Sequence, residues 1–203
     1  MVTRRTLLGA VAGAGAVSLV PFTGAEAATR TSANRWPIDP DAVATFRVAG
    51  SAASVVLRTG AAAAVLLHIA RRWHYEIAPL DTGEGGITGH RTDRASAAAF
   101  ESNHLSGTAI ALYPRAYPLG GIEPLAPHHE TVVRDILLNC EGTVSWGGDL
   151  QPVKASHFHL AVPAHDATLA RVAARLDTSR PTRTGRRRPT AGVVAGPEGV
   201  RRR

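Results

Sequence analysis

The sequence predicts an α+β domain in which helices flank a small antiparallel sheet. The 203-residue chain is 44% hydrophobic, which is enough for one buried core. From residue 60 onward the predicted elements follow the order helix, strand, helix, strand, strand, helix, without an internal repeat. A doubly wound sheet needs a regular alternation of strands and helices, so this order favours an antiparallel sheet.

The first half of the domain begins with short β-prone segments at residues 45–48 and 54–57. Residues 60–73 predict a core-facing helix, because their apolar residues recur at helical spacing. These apolar residues are Val65, Leu66, Ile69 and Trp73. Residues 81–91, DTGEGGITGHR, contain enough glycine to predict a loop that ends in a short strand.

The second half contains three predicted strands, two predicted helices and one long loop. The strands are residues 108–112, 142–146 and 156–162, and the helices are residues 130–139 and 167–176. Four prolines and two adjacent glycines predict a loop over residues 114–127. Asp166 is placed to cap the last helix, because its carboxylate can accept hydrogen bonds from N–H groups of the first turn.

The formal net charge of +7 is concentrated at the C-terminal end. Residues 180–203 hold eight arginines and one glutamate, whereas residues 28–179 hold 13 basic and 14 acidic residues. We expect a nearly neutral folded body and a disordered basic tail, which either has no specific partner or binds anionic wall polymers. A specific nucleic-acid function would depend on this tail alone, and no aromatic residues accompany its arginines.

Residues 1–27 resemble a twin-arginine export signal. Arg4 and Arg5 precede an apolar run over residues 7–20, which is too short to span a bilayer. Residues 25–27, Ala-Glu-Ala, then provide the small-x-small pattern of a cleavage site. The alternative is a buried N-terminal helix. The signal predicts a secreted mature protein that begins near Ala28, works outside the cytoplasm and keeps no transmembrane segment after cleavage.

Cys140 is the only cysteine, so no intramolecular disulfide can form. Stability must then come from the core or from a bound metal. We expect Cys140 to be a small buried residue at the end of a helix, with a reactive thiol as the alternative.

Three of the nine histidines stand apart from the rest. His157 and His159 lie two apart on a predicted strand, which directs both imidazoles to one face. Two such imidazoles can chelate one ion, and a distant ligand such as His104 would complete the three-ligand set typical of catalytic zinc. We interpret five other histidines as packing or solvated residues: His68, His74, His128, His129 and His165.

The three histidines lie in two longer motifs. Residues 102–112, SNHLSGTAIAL, are similar to the motif Ser-x-His-x-x-Gly-x-Ala-x-Asp. Residues 146–160, WGGDLQPVKASHFHL, are similar to Trp-Gly-Gly-Asp followed by Asp/Glu-x-x-His-Phe. Together these motifs resemble those of the VanY-like zinc D-alanyl-D-alanine carboxypeptidases, which share a fold with hedgehog signalling domains. The resemblance covers residues 61–162. It implies a hedgehog/DD-peptidase-like fold, zinc as cofactor and peptidoglycan stem peptides as substrate or ligand.

Carried over by position, the resemblance makes His104 and His157 zinc ligands, and His159 is available as a third. It also implies substrate-binding roles for Ser102 and for Arg91, whose guanidinium would receive a substrate carboxylate.

Two positions depart from the family pattern: Ala111 replaces the ligand aspartate, and Lys154 stands at the general-base position. The first change weakens zinc binding, and the second removes a step worth on the order of 100 to 10,000-fold in rate.

Two functions are compatible with this altered pattern. The first is a secreted zinc peptidase with altered ligands, in which Glu101, Asp149 or a free histidine replaces the base. The second is a cell-wall peptide-binding module of the same fold that has lost catalysis and uses Arg91 or Arg94 for the terminal carboxylate. The fold cannot choose between them, because function depends on the residues of the site.

Overall fold

The computed structural model describes residues 31–81 and 85–177. The predicted export signal and the predicted basic tail lie outside the described residues. Within them, the chain forms an α+β domain with two small antiparallel sheets and helices, which confirms the predicted class. No helix in this part of the chain is long and apolar enough to cross a membrane.

The smaller sheet is a hairpin of β1 (Val43–Arg47) and β2 (Ser54–Arg58), with Val43 opposite Arg58. The larger sheet has four antiparallel strands in the order β3-β4-β6-β5. Its strands are β3 (Ile87–Thr88), β4 (Ala109–Leu112), β5 (Val144–Trp146) and β6 (His157–Leu160). Each lies where the sequence predicts a strand. The central strands β4 and β6 carry the two motifs.

Three α-helices flank the sheets: α1 (Ala61–Glu76), α2 (Pro127–Asn139) and α3 (Ala167–Leu176). α1 continues beyond the predicted end at residue 73, and its last turn carries an ion pair between Arg72 and Glu76. α3 begins as predicted, because the Asp166 carboxylate accepts a hydrogen bond from the Leu169 N–H at 2.8 Å. The proline-rich stretch before α2 contains no regular helix or strand, as expected.

The core lies between α1 and the larger sheet. Trp73 and Phe158 are buried and meet edge to face, with ring centroids 6.1 Å apart. Cys140 is fully buried at the end of α2, which confirms the structural interpretation of this residue. Burial raises the pKa of its thiol to about 12, so the nucleophilic thiolate is not populated at neutral pH.

An N-terminal segment, residues 31–37, packs against the first motif, and no periodicity in its sequence predicts this contact. The Ser32 hydroxyl donates to Ser106 Oγ at 2.8 Å, and Asn34 Nδ2 donates to the Leu160 carbonyl at 2.9 Å. Trp36 Nε1 donates to the Val162 carbonyl at 2.8 Å. Polar residues of the motif region therefore serve to hold this segment in place.

Candidate functional site

The first motif bends the chain so that His104 points inward. A 3-10 helix over Ala99–His104 leads to Gly107, whose φ of +68° is a conformation that favours glycine. A Cβ at this position would lie 2.6 Å from the Arg58 backbone nitrogen, so the glycine also permits close contact with β2. His104 is 4% exposed, and its Nδ1 donates to the Gly89 carbonyl at 2.8 Å, which leaves Nε2 with a lone pair.

The second motif forms a tight loop that brings Lys154 beside β6. The Lys154 N–H donates to the Gly147 carbonyl at 2.9 Å. A Cβ on Gly147 would lie only 2.1 Å from the Lys154 carbonyl oxygen, so this approach requires glycine. Trp146 Nε1 donates to the Ala155 carbonyl at 2.7 Å and closes the loop. The glycine and tryptophan of the motif therefore have structural roles.

The strand register joins the two motifs. Ala111 of β4 is the pairing partner of His157 on β6, and Ala109 is the partner of His159. Directly opposite side chains on one face have Cβ atoms about 4.5–5.5 Å apart. An aspartate at residue 111 would therefore lie beside His157, whereas the chain presents a methyl group there.

The three predicted histidine ligands lie in one cluster. The ring centroids of His104 and His157 are 5.1 Å apart, and those of His157 and His159 are 5.2 Å apart. His157 Nε2 lies 3.2 Å from His159 Nδ1, and the two nitrogens share a hydrogen bond. The predicted strand alternation is correct, since it places these two imidazoles next to each other.

This cluster does not fit the zinc site that the resemblance implies. Among residues 31–81 and 85–177, no group of three histidine, cysteine or carboxylate side chains is arranged to hold a metal ion. Ala111 supplies no ligand atom, and His157 Nδ1 is buried without a hydrogen-bond partner. The Gly89 carbonyl orients His104 as a second-sphere partner would. That feature is compatible with zinc but does not replace the missing carboxylate.

Lys154, at the position that the resemblance assigns to the general base, belongs to a buried ion pair. Lys154 Nζ lies 2.6 Å from Glu101 Oε1, and the two side chains are 13% and 8% exposed. Burial raises the pKa of Glu101, but the hydrogen bond and charge of Lys154 outweigh it, so the net pKa lies below the usual 4.5. Glu101 also accepts from the Ala97 N–H at 3.2 Å. The sequence names Glu101 as a base candidate but gives no sign of this pairing.

The three histidines of the cluster are uncharged at pH 7. Burial lowers the pKa of His104 to about 4, against the opposing effect of the Gly89 hydrogen bond, and the charges of Lys154 and Arg91 act in the same direction as burial. Burial also lowers the pKa of His157 well below 6.5 and that of His159 to about 4. The cluster is therefore a set of uncharged imidazoles beside two cations.

Arg91 lies next to His104. Its backbone N–H donates to the His104 carbonyl at 3.3 Å, and its guanidinium donates to Ser96 Oγ at 2.9 Å. The Nε atom of Arg91 is buried without a hydrogen-bond partner. This unpaired donor makes Arg91 the best candidate in the site for an anionic group.

The Ser102 hydroxyl is hydrogen-bonded within the fold. It donates to the Ala99 carbonyl at 2.7 Å and accepts from the Ala33 N–H at 2.9 Å. The proton of the hydroxyl and one of its two lone pairs are therefore engaged within the fold, and the substrate-binding role of Ser102 stays a prediction.

Phe100 covers the histidine cluster, which the sequence pattern does not predict. Its ring centroid lies 4.8 Å from that of His157, and it stacks on His159 at 6.4 Å with an interplanar angle of 6°. His157 has no exposed surface as a result of this and the strand packing. In the sequence, the only local sign of this contact is that an aromatic residue, Phe100, directly precedes Glu101.

Comparison with known proteins adds no relative: no protein-family model, no curated protein and no solved structure matches this chain. The α+β class with small antiparallel sheets is shown by the structure itself. The assignment to a hedgehog/DD-peptidase-like fold rests on the two motifs alone and is a proposal.

Proposed function

We propose that this protein is a secreted cell-wall peptide-binding module on a hedgehog/DD-peptidase-like fold, without hydrolytic activity. The observation that carries the proposal is the buried Lys154–Glu101 pair at the position of the general base. A hydrolytic base must take a proton from water and is most effective with a pKa near the working pH. Lys154 enters this pair as a cation, and the lowered pKa makes Glu101 a weak base.

The proposed ligand is the carboxylate end of a peptidoglycan stem peptide. Arg91 carries the buried, unpartnered Nε atom, and a guanidinium binds a carboxylate through a fork of N–H donors. Ser96 and the Glu101 carbonyl hold the other side of the guanidinium at 2.9 and 3.4 Å, so its orientation is set before the ligand arrives. Preorganisation of this kind lowers the entropic cost of binding.

Export and wall contact complete the proposal. The twin-arginine signal at residues 1–27 would deliver the folded domain outside the cytoplasm, where stem peptides are accessible. The eight arginines of residues 180–203 would bind anionic wall polymers and raise the local concentration of the domain at the wall.

A second candidate is a zinc peptidase with three histidine ligands. Two observations favour it: the 3.2 Å separation of His157 Nε2 and His159 Nδ1, and the hydrogen bond that fixes the His104 tautomer. Two neutral imidazoles this close can chelate one ion. This candidate requires the three imidazoles to reorient around one ion, since the described residues contain no group arranged to hold a metal, and it requires a new base in place of Lys154.

The decisive experiment combines metal analysis with peptide assays on the full chain, purified without chelators. Binding of a peptide that ends in D-Ala-D-Ala is measured by calorimetry, and hydrolysis is measured as released D-alanine. We expect binding without stoichiometric zinc and without hydrolysis. Arg91→Gln should weaken binding about tenfold or more, because a charge-assisted hydrogen bond is lost. Arg171→Gln, on α3 and paired with Glu141, is the matched control and should bind normally.

Rebuilding the family pattern provides the reciprocal test. The variant combines Ala111→Asp and Lys154→Asp with Glu101→Gln, since Glu101 would otherwise meet the new aspartate as a like charge. A gain of zinc and of D-alanine release in this variant alone would support a binding module derived from an enzyme. If the parent already contains zinc, hydrolyses the peptide and loses both with His159→Ala, the binding-module proposal is wrong and the three-histidine enzyme is correct.

A further inference from the structure

A cavity of about 450 Å³ lies between α1, the end of β1 and the end of α3. It shares no lining residue with the histidine cluster. Its volume falls within the range of roughly 300–1,000 Å³ that is typical of small-molecule sites. The proposed peptide-binding function does not use it.

One wall of the cavity is apolar and is supplied mainly by a second face of α1. The core-facing stripe of the helix runs through Val65, Leu66 and Ile69. Ala64 and Leu67 lie on a different stripe, line the cavity and stay partly exposed. The apolar part of this wall on α1, residues 60–67, spans roughly 10 Å at the helical rise of 1.5 Å per residue. The apolar wall therefore offers contact to a large part of a medium-length alkyl chain.

The other wall carries basic side chains, among them Arg47 and Arg71. Arg47 is exposed at the end of β1, and its Nε donates to the Ser51 carbonyl at 2.9 Å. Arg71 is on the last turns of α1. One carboxylate, Asp177, also lines the cavity, so the excess charge of the lining is positive.

His68 also lies in this wall. The residue is 7% exposed, and Arg71 NH2 lies 3.3 Å from its Nδ1. A guanidinium can only donate, so Nδ1 accepts and the proton of the neutral ring is on Nε2. Burial lowers the pKa of His68 to about 4, and the charges of Arg71 and Arg72 act in the same direction, which keeps the ring neutral. The Nε2–H has no hydrogen-bond partner and no accessible surface, so it does not face the cavity, and the polar groups of this wall that can meet a ligand are the arginines.

An apolar wall with arginines at its edge matches one class of molecule. We propose that this cavity binds a single-chain carboxylate amphiphile, such as a fatty acid. The carboxylate pairs with Arg47, and the alkyl chain lies along Ala64 and Leu67. A neutral alcohol would lack the charge, and a short carboxylate would lack the apolar contact.

Calorimetry of the full chain with dodecanoate, below its micelle concentration, tests this inference. We expect one dodecanoate per chain, binding at least about tenfold weaker for dodecan-1-ol and none detectable for acetate, because the charged hydrogen bond and the apolar contact are both required. Dodecanol binding as tightly as dodecanoate would show a purely apolar cavity and overturn the proposal. An absence of dodecanoate binding would overturn it as well.

Two variants locate the binding in the cavity. Ala64→Phe fills the apolar wall and should abolish dodecanoate binding, with thermal unfolding as the check that the variant folds. Arg47→Gln changes an exposed residue, so folding is not at risk, and it should weaken dodecanoate binding about tenfold. Arg115→Gln, exposed and outside the cavity lining, should bind like the parent. Unchanged affinity in Arg47→Gln, or in folded Ala64→Phe, would place the ligand elsewhere and refute the assignment.

Discussion

Replacing Lys154 by methionine would leave the Glu101 carboxylate buried without its cation. Removal of one partner from a buried ion pair costs about 3–5 kcal/mol of unfolding free energy. The Lys154 and Glu101 side chains are 13% and 8% exposed, and the Ala97 N–H continues to donate to the carboxylate. We therefore expect the lower end of this range, about 3 kcal/mol at pH 7. That is a large part of the stability of a domain of this size.

The unfolding free energy lost in Lys154→Met should depend on pH, and the direction of this dependence follows from the pKa of Glu101. In the parent, the pKa of Glu101 is lowered, so the pair stabilises the fold above the unfolded-state pKa and loses its effect as the pH falls through the folded-state pKa. In Lys154→Met, the opposing effect of burial dominates and raises the pKa of Glu101. In this variant the Glu101 carboxylate then binds a proton at a higher pH in the folded chain than in the unfolded chain. The free-energy difference between parent and variant should therefore be largest at pH 7 and shrink toward pH 4.5.

Urea unfolding followed by tryptophan fluorescence at pH 7 and pH 5 measures this difference. Adding Glu101→Gln to Lys154→Met should recover most of the loss, because no uncompensated charge remains. Arg171→Met breaks an exposed pair with Glu141 and should cost less than about 1 kcal/mol. A cost below about 1 kcal/mol for Lys154→Met, or a cost that is the same at both pH values, would refute the interpretation of a buried, coupled pair.

Three further predictions concern the fold, the histidines and export. Gly107→Ala should lower the free energy of unfolding by about 2 kcal/mol in urea, because the φ of +68° and the contact with the Arg58 nitrogen both oppose a Cβ. The free energy of unfolding should also fall as the pH drops from 6.5 toward 4, since the lowered pKa values of His104 and His159 favour protonation of the unfolded chain; a pH series of urea curves without this slope would contradict their burial. Exchange of Arg4 and Arg5 for lysine should retain the protein in the cytoplasm, as measured by fractionation, and normal export would rule out the twin-arginine route.

The sequence by itself determines the features that depend on neighbours along the chain. Apolar spacing predicts α1, and alternation predicts that His157 and His159 share a face of β6, because side-chain direction follows the local backbone period. Asp166 predicts the start of α3, since its side chain bonds to the backbone three residues later. Cys140 is predicted to be buried because small apolar residues at helix ends usually pack inside.

The tertiary structure decides which distant groups meet. Lys154 pairs with Glu101, which lies 53 residues earlier in the chain, and the sequence around neither residue specifies that contact. The register of β4 against β6 puts Ala111 opposite His157, and the packing of Phe100 closes the cluster. Register and packing depend on the fit of whole elements rather than on local propensity. The chemistry of the site, from its ion pair to the methyl group opposite His157, therefore follows from the pairing of the strands and not from the local sequence.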